Sequence, residues 1–253
     1  MGALHQGHLS LIKNARRKVG GKGRVVVSIF VNPMQFGPGE DYSRYPRCLA
    51  KDSAACRAVG TDVLFLPSVE DVYPAAPTAF IDESDLARPL CGQSRPGHFR
   101  GVCTVVGKLF NMVQPDCAVF GEKDWQQLAV IRRMVRDLDF PVTVYGAPIL
   151  READGLAMSS RNENLTAEER SVAPRIFETL QAAVEGGGSA RQIRGRALRR
   201  LKRLPGAQVD YVEAVDAESL EPLRDRLRPG RLAVAVFFSQ TRLIDNIAIP
   251  KDD

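Results

Sequence analysis

The sequence lacks the marks of several protein classes. No apolar run approaches the roughly eighteen uninterrupted residues that a membrane helix needs, and no basic stretch followed by an apolar one opens the chain. Neither membrane insertion nor secretion is therefore expected. The five cysteines, Cys48, Cys56, Cys91, Cys103 and Cys117, are odd in number and unevenly spaced, with no CxxC pair and no Cys/His cluster. That pattern argues against a disulfide framework and a zinc site, and for reduced, mostly packed thiols in the cytoplasm. The nucleotide-binding loops GxxxxGK[ST] and GxGxxG are absent, which excludes the commonest nucleotide sites. An RNP-like aromatic pattern and a zinc knuckle are also missing, so an RNA-binding module has little to stand on.

What is present suits an ordinary globular chain. With 44% apolar and 26% charged residues, 253 residues can bury a core of one large domain or two modest ones. Thirty-five Lys plus Arg against thirty Asp plus Glu leave a net charge of +5, which fits a phosphate-bearing substrate as well as nucleic acid and does not choose between them. The densest basic run holds Arg191, Arg194, Arg196, Arg199, Arg200, Lys202 and Arg203. Ile193, Ala197, Leu201 and Leu204 recur through it at helical spacing, so it reads as the solvated face of a helix, with a nucleic-acid arm as the alternative.

Periodicity predicts repeated helix-then-strand units. An amphipathic stretch at 8–18 precedes RVVVSIFV at 24–31, and a helix at 49–58 precedes DVLFLP at 62–67. A helix at 102–113 precedes CAVFG at 117–121, and one at 125–138 precedes VTVYGAPIL at 142–150. Such alternation predicts an α/β, Rossmann-like doubly wound parallel sheet over residues 1–150. Beyond it, helices at 167–184 and 189–203 and strand-like runs at 207–215, 231–238 and 243–249 predict a smaller α+β domain over residues 151–253.

Three motifs carry chemistry. His5 and His8 bracket Gly7 in MGALHQGH, where a helix begins. Two imidazoles and unpaired N–H groups there would face an anion, although two histidines in a turn can also simply cap the helix. Gly7 lets a triphosphate approach the backbone closely. The third histidine, His98, lies in RPGHFRGV before another helix, as a catalytic group, a turn residue or a core hydrogen-bond partner. GEKDWQQ at 121–127 follows a strand at the sheet edge where open α/β folds bind ligands, so Lys123 is placed to meet phosphate unless it forms a solvated pair with Asp124. Met158, Ser159, Ser160 and Arg161 form a compact donor set for a polyphosphate, though Ser-Ser-Arg is also common loop chemistry.

Together, and in this order, these motifs resemble the superfamily that combines HxGH with a KMSKS-like loop, class I aminoacyl-tRNA synthetases included. Within it, MGALHQGH, SIFVNPMQFGPGEDYSRYPR, RPGHFRGV, GEKDWQQL, READGLAMSSRN and TRLIDNI resemble the pantothenate synthetase family. The resemblance implies ATP-dependent joining of pantoate to beta-alanine through a pantoyl adenylate, with release of pyrophosphate and AMP. It implies ATP contacts at Met1, Gly2, Ala3, Leu4, His5, Gln6, Gly7, His8, Gly121, Glu122, Lys123, Asp124, Leu150, Met158, Ser159, Ser160 and Arg161. Catalysis would fall to His8, His5, Lys123, Ser159, Ser160 and Arg161, with His8 the favoured proton donor. Gln35 and Gln127 would bind pantoate, and Asn32, Arg95 and His98 join them as substrate-binding candidates. Mg2+ would ride on the ATP phosphates. Asp52 occupies a position where some relatives hold a metal, but its acidic neighbour is replaced by Lys51, so no protein metal site is expected.

The resemblance also implies a cytoplasmic homodimer with small-molecule substrates and no nucleic-acid or membrane partner. The family has a strand and helix before the HxGH segment, whereas here Met1 falls within it, so the sheet is expected to lack one strand and the native start to lie upstream. The alternatives are a catalytically impaired, truncated form and another HxGH nucleotidyltransferase; Gln35, Gln127 and SIFVNPMQFG argue against the latter.

Overall fold

The computed structural model describes residues 2–40, 42–43, 45–75 and 77–252. Met1, one of the expected ATP contacts, lies outside them. The chain divides into two compact units. The first comprises Met1–Arg88, Arg95–Glu122 and Gln127–Pro148, and the second comprises Pro89–Ser94, Lys123–Gln126 and Ile149–Asp253. Among the described residues no helix is long and apolar enough to cross a membrane.

The first unit carries helices α1 (Gln6–Val19), α2 (Leu49–Ala58), α3 (Val69–Val72) and α5 (His98–Val113), with most of α6 (Trp125–Asp137). Its strands are β1 (Val26–Ser28), β2 (Val63–Phe65), β3 (Cys117–Gly121) and β4 (Thr143–Ala147). All pair in parallel, as expected for helical crossovers. They form two ladders, however, β1 with β2 and β3 with β4, and among the described residues no ladder joins the pairs. Helix α1 is common to both. Its Leu9, Ile12, Ala15 and Val19 pack with Val25, Val27 and Cys56, while Leu11 lies against Gly121 and the Lys18 ammonium sits 3.6 Å from the centre of the Tyr145 ring. The apolar runs at 24–31 and 62–67 overstate the strands, because only three residues of each hold ladder register and Ile29 adds one hydrogen bond to the Phe65 carbonyl.

The second unit contains α4 (Cys91–Ser94), α7 (Ala167–Val172), α8 (Arg175–Glu185) and α9 (Ala190–Leu201). Its antiparallel sheet is formed by β5 (Ala207–Asp216), β6 (Gly230–Phe238) and β7 (Thr241–Ile249) in the order β5-β6-β7. One sheet face packs on the apolar stripe of α8 and α9, where Ile176, Leu180, Ile193, Ala197 and Leu201 meet Leu232, Val234, Val236 and Phe238, all nearly or fully buried. Each large side chain so buried contributes about 1.5–3 kcal/mol. The single helix expected at 167–184 is broken into α7 and α8 at Pro174, which has no N–H to continue the ladder. The basic run lies on α9, and two of its arginines have protein partners: Arg194 pairs with Glu213 and Arg196 donates to the Ala183 carbonyl.

Candidate active site

The turn before α1 is held from two directions. His5 is the N-cap, with its Nδ1 accepting from the Gly7 N–H at 3.1 Å, and His8 returns by accepting the His5 N–H on its own Nδ1 at 3.3 Å. The two rings lie 4.1 Å apart. An imidazole that accepts at Nδ1 carries its proton on Nε2. Each ring thus carries its proton on Nε2, and the two histidines do cap the helix. One step earlier, Ala3 stands at φ 48°, in the left-handed region, and the N–H groups of Ala3 and Leu4 donate to Asp52.

A second cluster surrounds the 3-10 turn Pro33–Gln35. The Asn32 side chain is buried; its Nδ2 donates to the Gly101 carbonyl at 3.0 Å and to Gln35 Oε1 at 3.3 Å, and its Oδ1 accepts from the Met34 N–H and the Tyr73 hydroxyl. All hydrogen-bonding capacity of that amide is committed to the protein. Burial pushes the Tyr73 hydroxyl up to about 12, which keeps it a donor to Asn32. The Gln35 carbonyl accepts from His98 Nδ1 at 2.8 Å and from Arg95 Nη2 at 3.3 Å. Since a carbonyl only accepts, His98 carries its proton on Nδ1, the reverse of His5 and His8, and its Nε2 accepts from Arg95 Nη1 at 3.1 Å. Arg95 also forms a two-pronged pair with Glu40, at 2.8 and 2.7 Å. Burial raises the Glu40 carboxyl, but the bonds and charge of Arg95 outweigh it and hold the group below its ordinary range. Gln127 is half-buried on α6.

In the GEKD segment, Gly121 ends β3 and Glu122 belongs to the first unit, while Lys123 and Asp124 belong to the second. Asn246 of β7 donates from Nδ2 to the Lys123 carbonyl at 3.0 Å. Arg231 holds Asn246 Oδ1 at 3.1 Å, and its guanidinium stacks 3.6 Å over the Trp125 ring, whose N–H binds the Ala217 carbonyl. The neighbouring Asp245 makes a bidentate pair with Arg151, at 2.7 and 2.9 Å. Burial pushes its carboxyl above the usual range although Arg151 pulls it back. Arg151 in turn opens a hairpin that folds back through Gly155, at φ 92°, and runs into the Ser-Ser-Arg segment. Ser159 caps the 3-10 turn Ser160–Asn164 by accepting the Arg161 N–H, and Asn162 ties the turn to Glu152 and the Ala157 carbonyl. Met158, Ser159, Ser160 and Arg161 are half-buried, while Leu150 is exposed.

The first unit thus brings together His5 with His8, and separately Asn32, Gln35, Arg95 and His98. In the second unit, Arg151 and the adjacent Asp245 and Asn246 connect the Lys123 backbone to the hairpin before Ser159. The residues that hold these groups are Asp52, which the sequence offers only as a metal position, and Tyr73, Glu40, Arg151, Asp245 and Asn246, none of which it offers as a candidate. The sequence signals for the last two are the TRLIDNI stretch of the resemblance and the interruption of its apolar run by Asp and Asn.

The family model for pantoate-beta-alanine ligase matches residues 1–248. Pantothenate synthetase from Nitratidesulfovibrio vulgaris is 53% identical over 254 residues, spanning 98% of this chain and 89% of that protein. The enzyme of the same name from Thermotoga neapolitana is 51% identical, spanning 97% and 88%. Among solved structures, pantothenate synthetase from Thermus thermophilus superposes with a TM-score of 0.92 at 48% identity, covering 99% of this chain and 91% of that one. Pantoate-beta-alanine ligase from Francisella tularensis, complexed with beta-gamma ATP and beta-alanine, superposes with a TM-score of 0.80 at 36% identity, covering 98% and 86%.

Proposed function

The chain belongs to the pantoate-beta-alanine ligase family and joins pantoate to beta-alanine to make pantothenate, and from that premise we propose how its residues carry the reaction. An oxygen of the (R)-pantoate carboxylate attacks the α-phosphorus of ATP, the bond to the bridging oxygen breaks, and pyrophosphate leaves. The uncharged amine of beta-alanine, its proton lost to solvent, then attacks the acyl carbon; the bond from that carbon to the phosphate oxygen breaks, AMP leaves, and the nitrogen gives up a second proton to solvent. ATP enters with Mg2+ on its phosphates, as the metal keeps most of its water and needs few protein ligands.

The observation that carries this reading is the reciprocal cap of His5 and His8, which aligns two Nε2–H donors at the start of a long helix. We assign those donors to the phosphates. Lys123, Ser159, Ser160 and Arg161 act on ATP as cations and hydroxyl donors that offset charge growing on the leaving group. Gln35 and Gln127 bind pantoate, whose carboxylate and hydroxyls suit an amide's mixed donors and acceptors. In this division residues 1–150 carry the ATP and pantoate contacts, and residues 151–253 carry the Ser-Ser-Arg loop. Asn32, Arg95 and His98 serve by holding Gln35. The enzyme works as a homodimer in the cytoplasm.

Release of pyrophosphate and AMP, followed while each substrate is omitted in turn, tests the scheme. Pyrophosphate should require pantoate but not beta-alanine in the first turnover, and AMP should require both. Pyrophosphate formed only when beta-alanine is present would sink the two-step order.

The Glu40–Arg95 pair yields a second expectation. Glu40→Gln removes the charge that orients Arg95 and so loosens the Gln35 carbonyl. The Michaelis constant for pantoate is expected to rise about tenfold, equivalent to about 1.4 kcal/mol, with a smaller change for ATP. Because the folded carboxyl lies below its ordinary range, its stabilising contribution is present above that range and is lost as pH falls through the depressed value. The Gln variant should lack that acid-side loss in a melting-temperature profile against pH.

A further inference from the structure

Asp52 occupies a position where some relatives hold a metal, and the geometry there is that of a different device. Asp52 stands on the first turn of α2, 1% exposed. Its Oδ2 accepts the Ala3 N–H at 2.9 Å and its Oδ1 accepts the Leu4 N–H at 2.8 Å, across 49 and 48 residues of sequence. Both oxygens are therefore directed at the backbone of the turn that leads into His5. Among the described residues no three His, Cys, Asp or Glu side chains gather as a metal set, and the neighbour on the chain is Lys51. With each oxygen turned onto a backbone N–H, the donor set fits a backbone clamp.

The clamped backbone needs holding. Ala3 adopts φ 48°, a region that disfavours any residue with a Cβ, and Gly2 and Leu4 on either side are buried. Buried N–H groups left without partners would cost more than the bonds themselves contribute. A carboxylate gripping two successive N–H groups offsets that strain and fixes where the chain enters α1. The entry angle sets the His5 cap, and the cap sets His8 through the His5 N–H.

We propose that Asp52 is a positioning residue for adenylate formation, acting through the backbone of Ala3 and Leu4 to aim the His5–His8 pair, and that it does not bind the metal. The proposal rests on the assignment of that pair to the phosphates, and the experiment separates failure of the two. Asp52→Asn keeps the shape but turns one acceptor into an NH2 that faces a backbone N–H. Pantoate-dependent pyrophosphate formation would be measured for the wild type, Asp52→Asn, His8→Ala and the double variant, across a range of Mg2+ concentrations and well below each melting temperature. The turnover number of Asp52→Asn should fall at least tenfold, with the Michaelis constant for ATP changed less and the Mg2+ requirement unmoved. Asp52→Glu, which keeps both acceptors, should recover part of the rate. Removing Asp52 from His8→Ala should slow it by less than the same change slows the wild type, because only His5 is left to aim.

A lowered melting temperature with undiminished turnover would make Asp52 merely structural, and rescue of Asp52→Asn by excess Mg2+ would make it a metal ligand. Either result overturns the inference. Full activity of His8→Ala would instead overturn the assignment of the histidines. Amide exchange in the unaltered enzyme stands independently of any variant: the Ala3 and Leu4 N–H groups should exchange slowly, and rapid exchange would show that no clamp exists.

Discussion

Gly101→Ala is expected to raise the Michaelis constant for pantoate by at least an order of magnitude and to lower the melting temperature by several degrees. A Cβ built on Gly101 would lie 2.3 Å from the Met34 carbonyl oxygen, 2.5 Å from its carbon and 2.7 Å from the Gln35 nitrogen. All three are backbone atoms and cannot swing aside as a side-chain tip would. Alanine in place of glycine within α5 would ordinarily gain about 1 kcal/mol of helix propensity. Overpacking against fixed backbone costs about 3 kcal/mol, so the clash wins by about 2 kcal/mol. The 3-10 turn is the element that gives way, since α5 is anchored by Phe99, Val102, Cys103, Val105 and Val106, all buried. Its displacement carries Gln35 away and breaks the Asn32 bond to the Gly101 carbonyl. Gly107→Ala on the same helix is the control. There the new Cβ meets the Cδ1 tip of Ile81 at 2.5 Å, a flexible end, and pantoate kinetics should be nearly unchanged. An unaltered Michaelis constant in Gly101→Ala would mean that the turn does not position Gln35.

Arg151→Ala should destabilise the second unit by about 3–5 kcal/mol at neutral pH, because it strands a buried carboxylate. Asp245 is 5% exposed and takes both prongs of the guanidinium. Arg151 also lies 3.5 Å over the Phe177 ring, and truncation removes that packing too. Burial already holds the Asp245 carboxyl above its ordinary range, and loss of Arg151 moves it further up. In the variant the folded state binds a proton that the unfolded chain does not, from the ordinary aspartate range, about 3.9, up to the raised value. Stability therefore falls as pH rises through that window and is regained on acidification. Thermal melts of the variant and the parent should draw closer as pH is lowered from about 7.5 to about 5. Asp245→Asn in the Arg151→Ala background should recover much of the loss, since no charge remains to be stranded. A pH-independent gap between the melts would show that the cost is packing alone.

These two positions mark where sequence reading succeeded and where it stopped. Strand-like runs locate β5, β6 and β7 to within about two residues, and the expected helix at 49–58 coincides with α2. Pro174 was a legible helix break that the apolar periodicity of 167–184 overrode. Helix α5 starts at His98, four residues before its expected start, because Gly97 at φ 81° turns the chain and the glycine at 101 masks the first turn. The β1 and β2 runs read longer than they are, since apolar content reports burial and not ladder pairing. The motif residues themselves were visible as local clusters. Their supports were not, because Asp52 with Ala3 and Arg151 with Asp245 are joined across 49 and 94 residues, and a single sequence carries no sign of which polar groups meet.

The protonation pattern of the His5–His8 turn gives it an electrical character unlike that of a lysine or arginine. With Nδ1 of each ring turned inward onto a backbone N–H, the turn offers direction without net charge. Dissolved ions screen monopoles far more than they screen short hydrogen bonds between fixed dipoles. The front of α1 is thus an electrically quiet template, and under the proposed assignment of the phosphates the salt-sensitive share of ATP recognition falls to Lys123 and Arg161.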